Sequence, residues 1–144
     1  MGTKLVTARD LVTGRFSFAD IQVYYQMVDV DPGKTGKVFL GALSCPCTIT
    51  HVHPVLADPP VILFLHGQKY SSENWINLGT LKLMSSLGYR TAAIDLPGYG
   101  KTRSLPYIDN NMRAEFLLAA FDFIGKGSNL TAAGAVLVSP SMSG

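Results

Sequence analysis

Ser139-Pro140-Ser141-Met142-Ser143-Gly144 follows directly on the apolar run Ala135–Val138. A serine in that place can act as a nucleophile. A sharp turn from a strand into a helix lifts its hydroxyl above the sheet edge and aims the next backbone N–H at a developing oxyanion. Such a turn needs small residues two positions before and two after the nucleophile. Ser139 and Ser143 meet that size rule where glycines are usual, and Gly144 follows. His66-Gly67-Gln68 ends an earlier apolar run, Val61–Leu65, the kind of strand end from which folds with such a serine turn supply a second oxyanion donor. Gly67 lets the backbone bend without a Cβ, and the Gln68 N–H would point at the same place as the Met142 N–H. Taken alone, His66 reads more readily as a histidine closing a strand. Asp95-Leu96-Pro97-Gly98-Tyr99-Gly100 forms a third strand-end turn.

These turns need a sheet beneath them. Phe16 and Phe18 occupy even positions, whereas Ile21, Val23, Tyr25 and Met27 occupy odd ones. A parity change across Ala19-Asp20 is what a tight hairpin does to two alternating strands. Val61–Leu65 reads as a buried parallel strand. Ser71 or Ser72 is expected to cap a helix with Glu73 in its first turn, its apolar face formed by Trp75, Leu78, Leu81 and Leu87 and its end at Gly88. Thr91–Ile94 is expected as a second strand. Residues 109–124 are expected as a helix presenting Met112, Phe116, Ala119, Ala120 and Phe123, and Ala135–Val138 as a third buried strand. Strand, helix, strand, helix, strand at this spacing predicts an α/β fold, a parallel sheet wrapped by helices with the hairpin as its antiparallel edge. Residues 1–14 are expected as a tail, and 37–58 as an irregular insertion within a partial domain of 15–144.

Composition bounds the rest. The chain has 144 residues, a formal charge of +2, and 47% apolar against 15% charged residues. That balance excludes bulk disorder and suits one domain. A charge so small and so dispersed carries no footprint for nucleic acid. No window reaches the ~18 apolar residues of a membrane span. Two cysteines make no disulfide framework. Cys45, Cys47, His51 and His53 are all zinc-ligand types, but their spacing matches no usual knuckle, so no metal is expected. Gly33-Lys34-Thr35 and Gly100-Lys101-Thr102 imitate a phosphate loop, yet Val28 and Asp95 stand where its first glycine belongs. Trp75, Phe116, Phe121 and Phe123 read as core rather than as a ligand box, and Tyr99 and Tyr107 as exposed loop tyrosines, with the wall of an acyl pocket as the rival reading.

The runs Phe64-Leu65-His66-Gly67, Ser71-Ser72-Glu73-Asn74-Trp75, Asn77-Leu78-Gly79-Thr80-Leu81, Gly88-Tyr89-Arg90, Ala93-Ile94-Asp95-Leu96-Pro97-Gly98 and Val138–Gly144 resemble the α/β-hydrolase domain-containing protein 14 family. The resemblance covers residues 60–144 well, the hairpin loosely and 37–58 hardly at all. It implies an α/β-hydrolase fold, cut after the nucleophile strand. It also implies that Ser141 is the nucleophile and that the N–H groups of Gln68 and Met142 form the oxyanion hole. His66, Gly67, Ser139, Ser143 and Gly144 would support them. Where the family has a serine behind the site, this chain has Thr102. Hydrolysis of small acyl esters is implied, as is removal of acetyl from lysine, with coenzyme A as acyl acceptor and no other cofactor. A cytoplasmic and nuclear location and contact with a general transcription factor are implied as well.

In that fold the triad runs Ser, Asp or Glu, then His along the chain, and three residues follow Ser141. His66 belongs to the oxyanion turn, and His51 and His53 fall in the insertion. The expectation is therefore the N-terminal part of a serine hydrolase, inactive without its acid and base. The rival reading is a non-catalytic interaction or regulatory fragment of the same fold. Either way, an apolar strand left as an open edge is an aggregation hazard.

Overall fold

The structure is a computed structural model, and it describes residues 10–30, 60–102, 108–126 and 134–140. The insertion expected at 37–58, with its cysteines and histidines, lies outside the described residues, as does Tyr107.

The parity change yields the hairpin. Strand β1 (Val12–Phe18) pairs antiparallel with β2 (Ile21–Val28), Phe18 facing Ile21 and Phe16 facing Val23 across a two-residue turn. β1 begins at Val12, inside the stretch 1–14 expected as a tail. β3 (Val61–Phe64) and β4 (Arg90–Ile94) pair in parallel, and β5 (Ala135–Val138) joins β3 on its other side, also in parallel. β2 closes onto β4 antiparallel, so the order across the sheet is β1-β2-β4-β3-β5.

Strand alternation sends side chains to two faces. Phe16, Val23, Leu63, Ala92 and Ile94 meet Phe116, Ala120 and Ile124 of helix α3 (Asn110–Gly125). Ile62, Phe64 and Ala93 meet Leu81 on the other face, where helices α1 (Glu73–Asn77) and α2 (Thr80–Ser86) lie with Trp75 and Met84. The chain steps from β3 towards the β2 side to make β4, then back past β3 to make β5. Right-handed crossovers in opposite directions place their helices on opposite faces.

Three expectations are corrected. The single helix from Glu73 to Leu87 is two, because Gly79 adopts a left-handed φ of 73° between them. Leu78 falls at that break and is 74% exposed, not part of a buried face. On α3 the buried line is Phe116, Ala120 and Ile124, one residue per turn. Met112 is exposed, and Phe123 lies on the flank, stacked on Phe16 at 4.9 Å. β5 is where expected but is not buried: Val136 and Leu137 are 48% and 40% exposed. It is the last strand of the described sheet, and among the described residues Val138 is the one side chain of it that packs against a core cluster.

At the amino end of β4, Asp29 is buried and takes Arg90 Nε at 2.8 Å and Lys126 Nζ at 2.7 Å. Burial pushes its carboxyl up, but the hydrogen bonds from Lys126 and Arg90 outweigh this and hold it below the ordinary value of 3.8. Arg90 also donates to the Gly125 carbonyl at 2.8 Å. One ion cluster thus ties β2, β4 and the end of α3 together.

Candidate active site

β3 and β4 lie side by side, yet their chains leave for opposite faces of the sheet. Loops that diverge in this way open a crevice at the carboxyl ends of the strands, where ligands of α/β sheets bind. Three of the sequence-predicted residues, His66, Gly67 and Gln68, form the turn leaving β3. Asp95 and Leu96 form the exit from β4 beside it.

Hydrogen bonds define the turn. His66 is 1% exposed, and its Nε2 accepts the Leu96 N–H at 3.0 Å. That nitrogen must carry a lone pair, so the ring hydrogen sits on Nδ1 and donates to the Gly67 carbonyl at 2.9 Å. The same carbonyl accepts the Tyr70 N–H at 3.0 Å. A trans peptide holds its C=O and N–H on opposite sides. Two donors on the Gly67 oxygen therefore turn the Gln68 N–H outward, and no hydrogen bond to it occurs among the described residues. An outward, unpaired amide at the carboxyl edge of a sheet is suited to receive a negative oxygen.

The turn is braced from beneath. Trp75 Nε1 donates to the Leu65 carbonyl at 2.9 Å while its ring packs 4.9 Å from Phe64. Ser72 stands before α1 but does not cap it as expected: it already has helical dihedrals, and no side-chain cap bond forms. Its hydroxyl instead accepts from Gln26 Nε2 at 3.0 Å, and its backbone N–H donates to Asp95 Oδ1 at 2.7 Å. The second oxygen of Asp95 accepts the Lys101 N–H at 2.8 Å. Gly100 passes so near that a Cβ there would fall inside the Asp95 carboxyl group. The apparent phosphate loop at Gly100-Lys101-Thr102 thus folds around a carboxyl group of the chain itself. Thr102, which replaces the serine of the resembled family, is fully buried and accepts the Tyr24 N–H at 2.9 Å. A hydroxyl is what that position requires, and threonine supplies it.

Sequence reasoning did not find Asp95, Ser72 and Gln26 as one network. No sequence signal marked it: alternation sets Gln26 opposite the apolar residues of β2, and its burial is a fact of the fold. Tyr99 packs edge-on against His66, with ring centroids 5.5 Å apart, beside the crevice.

Val138 accepts the Leu65 N–H at 2.9 Å, so β3 and β5 finish side by side. Three residues lead from Leu65 to Gln68, and three from Val138 to Ser141. Ser139 is half-buried. Ser141, Met142, Ser143 and Gly144 lie outside the described residues. Among the described residues, His66 is the one histidine, and both its ring nitrogens are engaged. No group of three or more metal-ligating side chains occurs among them, and none of their helices is long and apolar enough to cross a membrane.

Residues 60–136 match the family model of the alpha/beta hydrolase fold. Mouse (Mus musculus) Protein ABHD14A is 42% identical over 84 residues, covering 58% of this chain and 32% of the mouse protein. A rat (Rattus norvegicus) relative named "Putative protein-lysine deacylase ABHD14B" is 42% identical over 86 residues, 58% of this chain and 38% of its own length. The match to human (Homo sapiens) Protein ABHD14A reaches 79% of this chain at 40% identity and 41% of the human protein. The chain thus spans roughly a third to two fifths of the curated relatives it matches. Among solved structures, a CIB-like hydrolase from Thermoplasma acidophilum superposes with a TM-score of 0.58 at 17% identity, over 90% of this chain and 51% of that one. The central sheet order, the divergent β3 and β4 exits and the matched span agree: the chain belongs to the alpha/beta hydrolase fold family, and within it resembles the ABHD14 proteins.

Proposed function

We propose that this chain carries the nucleophile and oxyanion donors of a serine hydrolase acting on small acyl groups, as esters or on acylated lysine. Ser141 Oγ attacks the acyl carbon, its proton passing through a general base to the departing alcohol or lysine amine as the ester or amide bond breaks. Water or coenzyme A then takes the acyl group from the serine. The amides of Gln68 and Met142 receive the negative charge that develops on the acyl oxygen. The observation that carries this reading is the Gln68 amide: unpaired, outward and locked by two donors on the preceding carbonyl. The lysine substrate follows from the deacylase name borne by the ABHD14B relatives. Coenzyme A as acyl acceptor, a general transcription factor as partner and a cytoplasmic and nuclear location rest on the family resemblance alone.

Turnover also needs a general base. Removing a member of a serine triad costs several orders of magnitude in rate. The fully engaged imidazole of His66 favours a second reading, an interaction fragment that keeps the sheet without catalysis. Fluorophosphonate modification followed by peptide mass spectrometry separates the two. The hydrolase reading expects an adduct on Ser141, slow because no base assists it but faster than at other serines on account of the oxyanion donors, that Ser141→Ala abolishes. Adducts that survive this change contradict Ser141 as nucleophile, and a chain left unmodified supports the second reading.

A further inference from the structure

The turn that carries Gln68 is seven residues long, from His66 to Ser72, and both of its ends are tied to consecutive residues at the exit of β4. His66 Nε2 takes the Leu96 N–H at 3.0 Å, and the Ser72 N–H reaches Asp95 Oδ1 at 2.7 Å. Asp95 is 2% exposed, and its other oxygen holds the Lys101 N–H at 2.8 Å. We propose that Asp95 and Leu96 act as a two-point clamp that presets the Gln68 amide, with Asp95 as a positioning residue for the site. This inference rests on the reading of Gln68 as an oxyanion donor.

The clamp is itself anchored. The Asp95 N–H donates to the Tyr24 carbonyl at 3.0 Å, and the Tyr24 N–H donates to Thr102 Oγ1, so β2 holds both the start and the end of the β4 exit loop. Gln26, also on β2, holds the Ser72 hydroxyl. A loop fixed at both ends has few conformations left, and a donor on it meets a developing charge without reorganising. Asp95 does not reach substrate: both its oxygens face backbone amides beneath the turn. Asparagine in its place has nearly the same shape but offers an NH2 to one of those amides, which breaks that point of the clamp.

The test uses isotope-labelled 144-residue chain and NMR hydrogen exchange, comparing the unmodified protein with Asp95→Asn and Asp29→Asn. Asp29→Asn serves as the control because it disturbs a buried acid at the far end of the sheet. In Asp95→Asn, exchange at Ser72 or Lys101 is expected to quicken about tenfold or more, as for loss of a hydrogen bond to a charged group, and the Gln68 amide resonance moves. Phe16 and Val23 hold their exchange rates. In Asp29→Asn the Gln68 resonance stays in place. A folded Asp95→Asn with Gln68 unmoved overturns the proposal, and so does an equal shift in Asp29→Asn. Should Asp95→Asn fail to fold, the unmodified chain decides. Through-hydrogen-bond couplings from the Ser72 and Lys101 nitrogens to the Asp95 side-chain carbonyl carbon are expected, and their absence overturns the clamp. Fluorophosphonate modification provides the functional arm. Asp95→Asn is expected to slow modification of Ser141 about tenfold at saturating reagent, with the half-saturating concentration unchanged. An unaltered rate contradicts the positioning role. If the unmodified chain takes no adduct, the hydrolase reading fails while the exchange data still judge the clamp.

Discussion

Asp29 and Asp95 are buried at opposite ends of the same sheet, and the chain holds them in different ways. Asp29 meets two cations, Arg90 and Lys126, besides the N–H of its own neighbour Val30. Asp95 meets two backbone amides, Ser72 and Lys101, each at the edge of a loop. A carboxyl group between cations joins elements by charge and tolerates small movements of long side chains. One between amides fixes the path of the backbone itself, since an N–H cannot move without its peptide plane. The first arrangement suits the end that only has to stay folded, the second the end where loops must hold a shape.

Breaking the cationic end gives the largest expected loss of stability. Asp29→Ala strips Arg90 of a buried partner, and urea unfolding is expected to show a cost of about 3–5 kcal/mol. A smaller loss, about 2–3 kcal/mol, is expected for Gly100→Ala. It forces a Cβ onto the Asp95 carboxyl group at a residue whose φ is +51°. This variant should disturb the Gln68 turn where Asp29→Ala does not, which sharpens the contrast between the ends.

The smallest effect is electrostatic. Lys126 is 53% exposed, so Lys126→Ala is expected to cost less than about 1 kcal/mol at neutral pH. The Asp29 carboxyl is held below its ordinary value in the folded state. Its contribution is therefore complete above about pH 3.8 and fades as pH falls through the lower folded value. Unfolding of Lys126→Ala and the unmodified chain should accordingly converge at acid pH. A difference that persists there means the lysine acts by packing rather than charge.

The two ends also differ in how far the sequence discloses them. Alternation placed the hairpin through Phe16, Phe18 and Ile21, and the unbroken run Val61–Leu65 marked a strand buried on both faces. The turn residues His66, Gly67 and Gln68 were legible because small and polar residues directly after an apolar run mark where a buried strand leaves the sheet. The break at Gly79 was missed because Leu78 fits a helical period, and period alone does not register one left-handed residue. The exposure of β5 was not legible either: an apolar strand reads the same whether or not neighbours cover it. Neither Asp29 nor the Asp95 network could be read, since each joins residues far apart in sequence, Asp29 with Lys126 and Gln26 with Ser72 and Asp95.

A crystal structure of the chain, read at the distance from the Gln68 amide nitrogen to Ser141 Oγ, tests the central claim most directly. A separation of roughly 5 Å or less, with the amide unpaired and the hydroxyl at the carboxyl edge of β5, is the expected result for a nucleophile and donor that share one acyl group. A Ser141 hydroxyl turned into the sheet, or a Gln68 amide bonded within the protein, would contradict it.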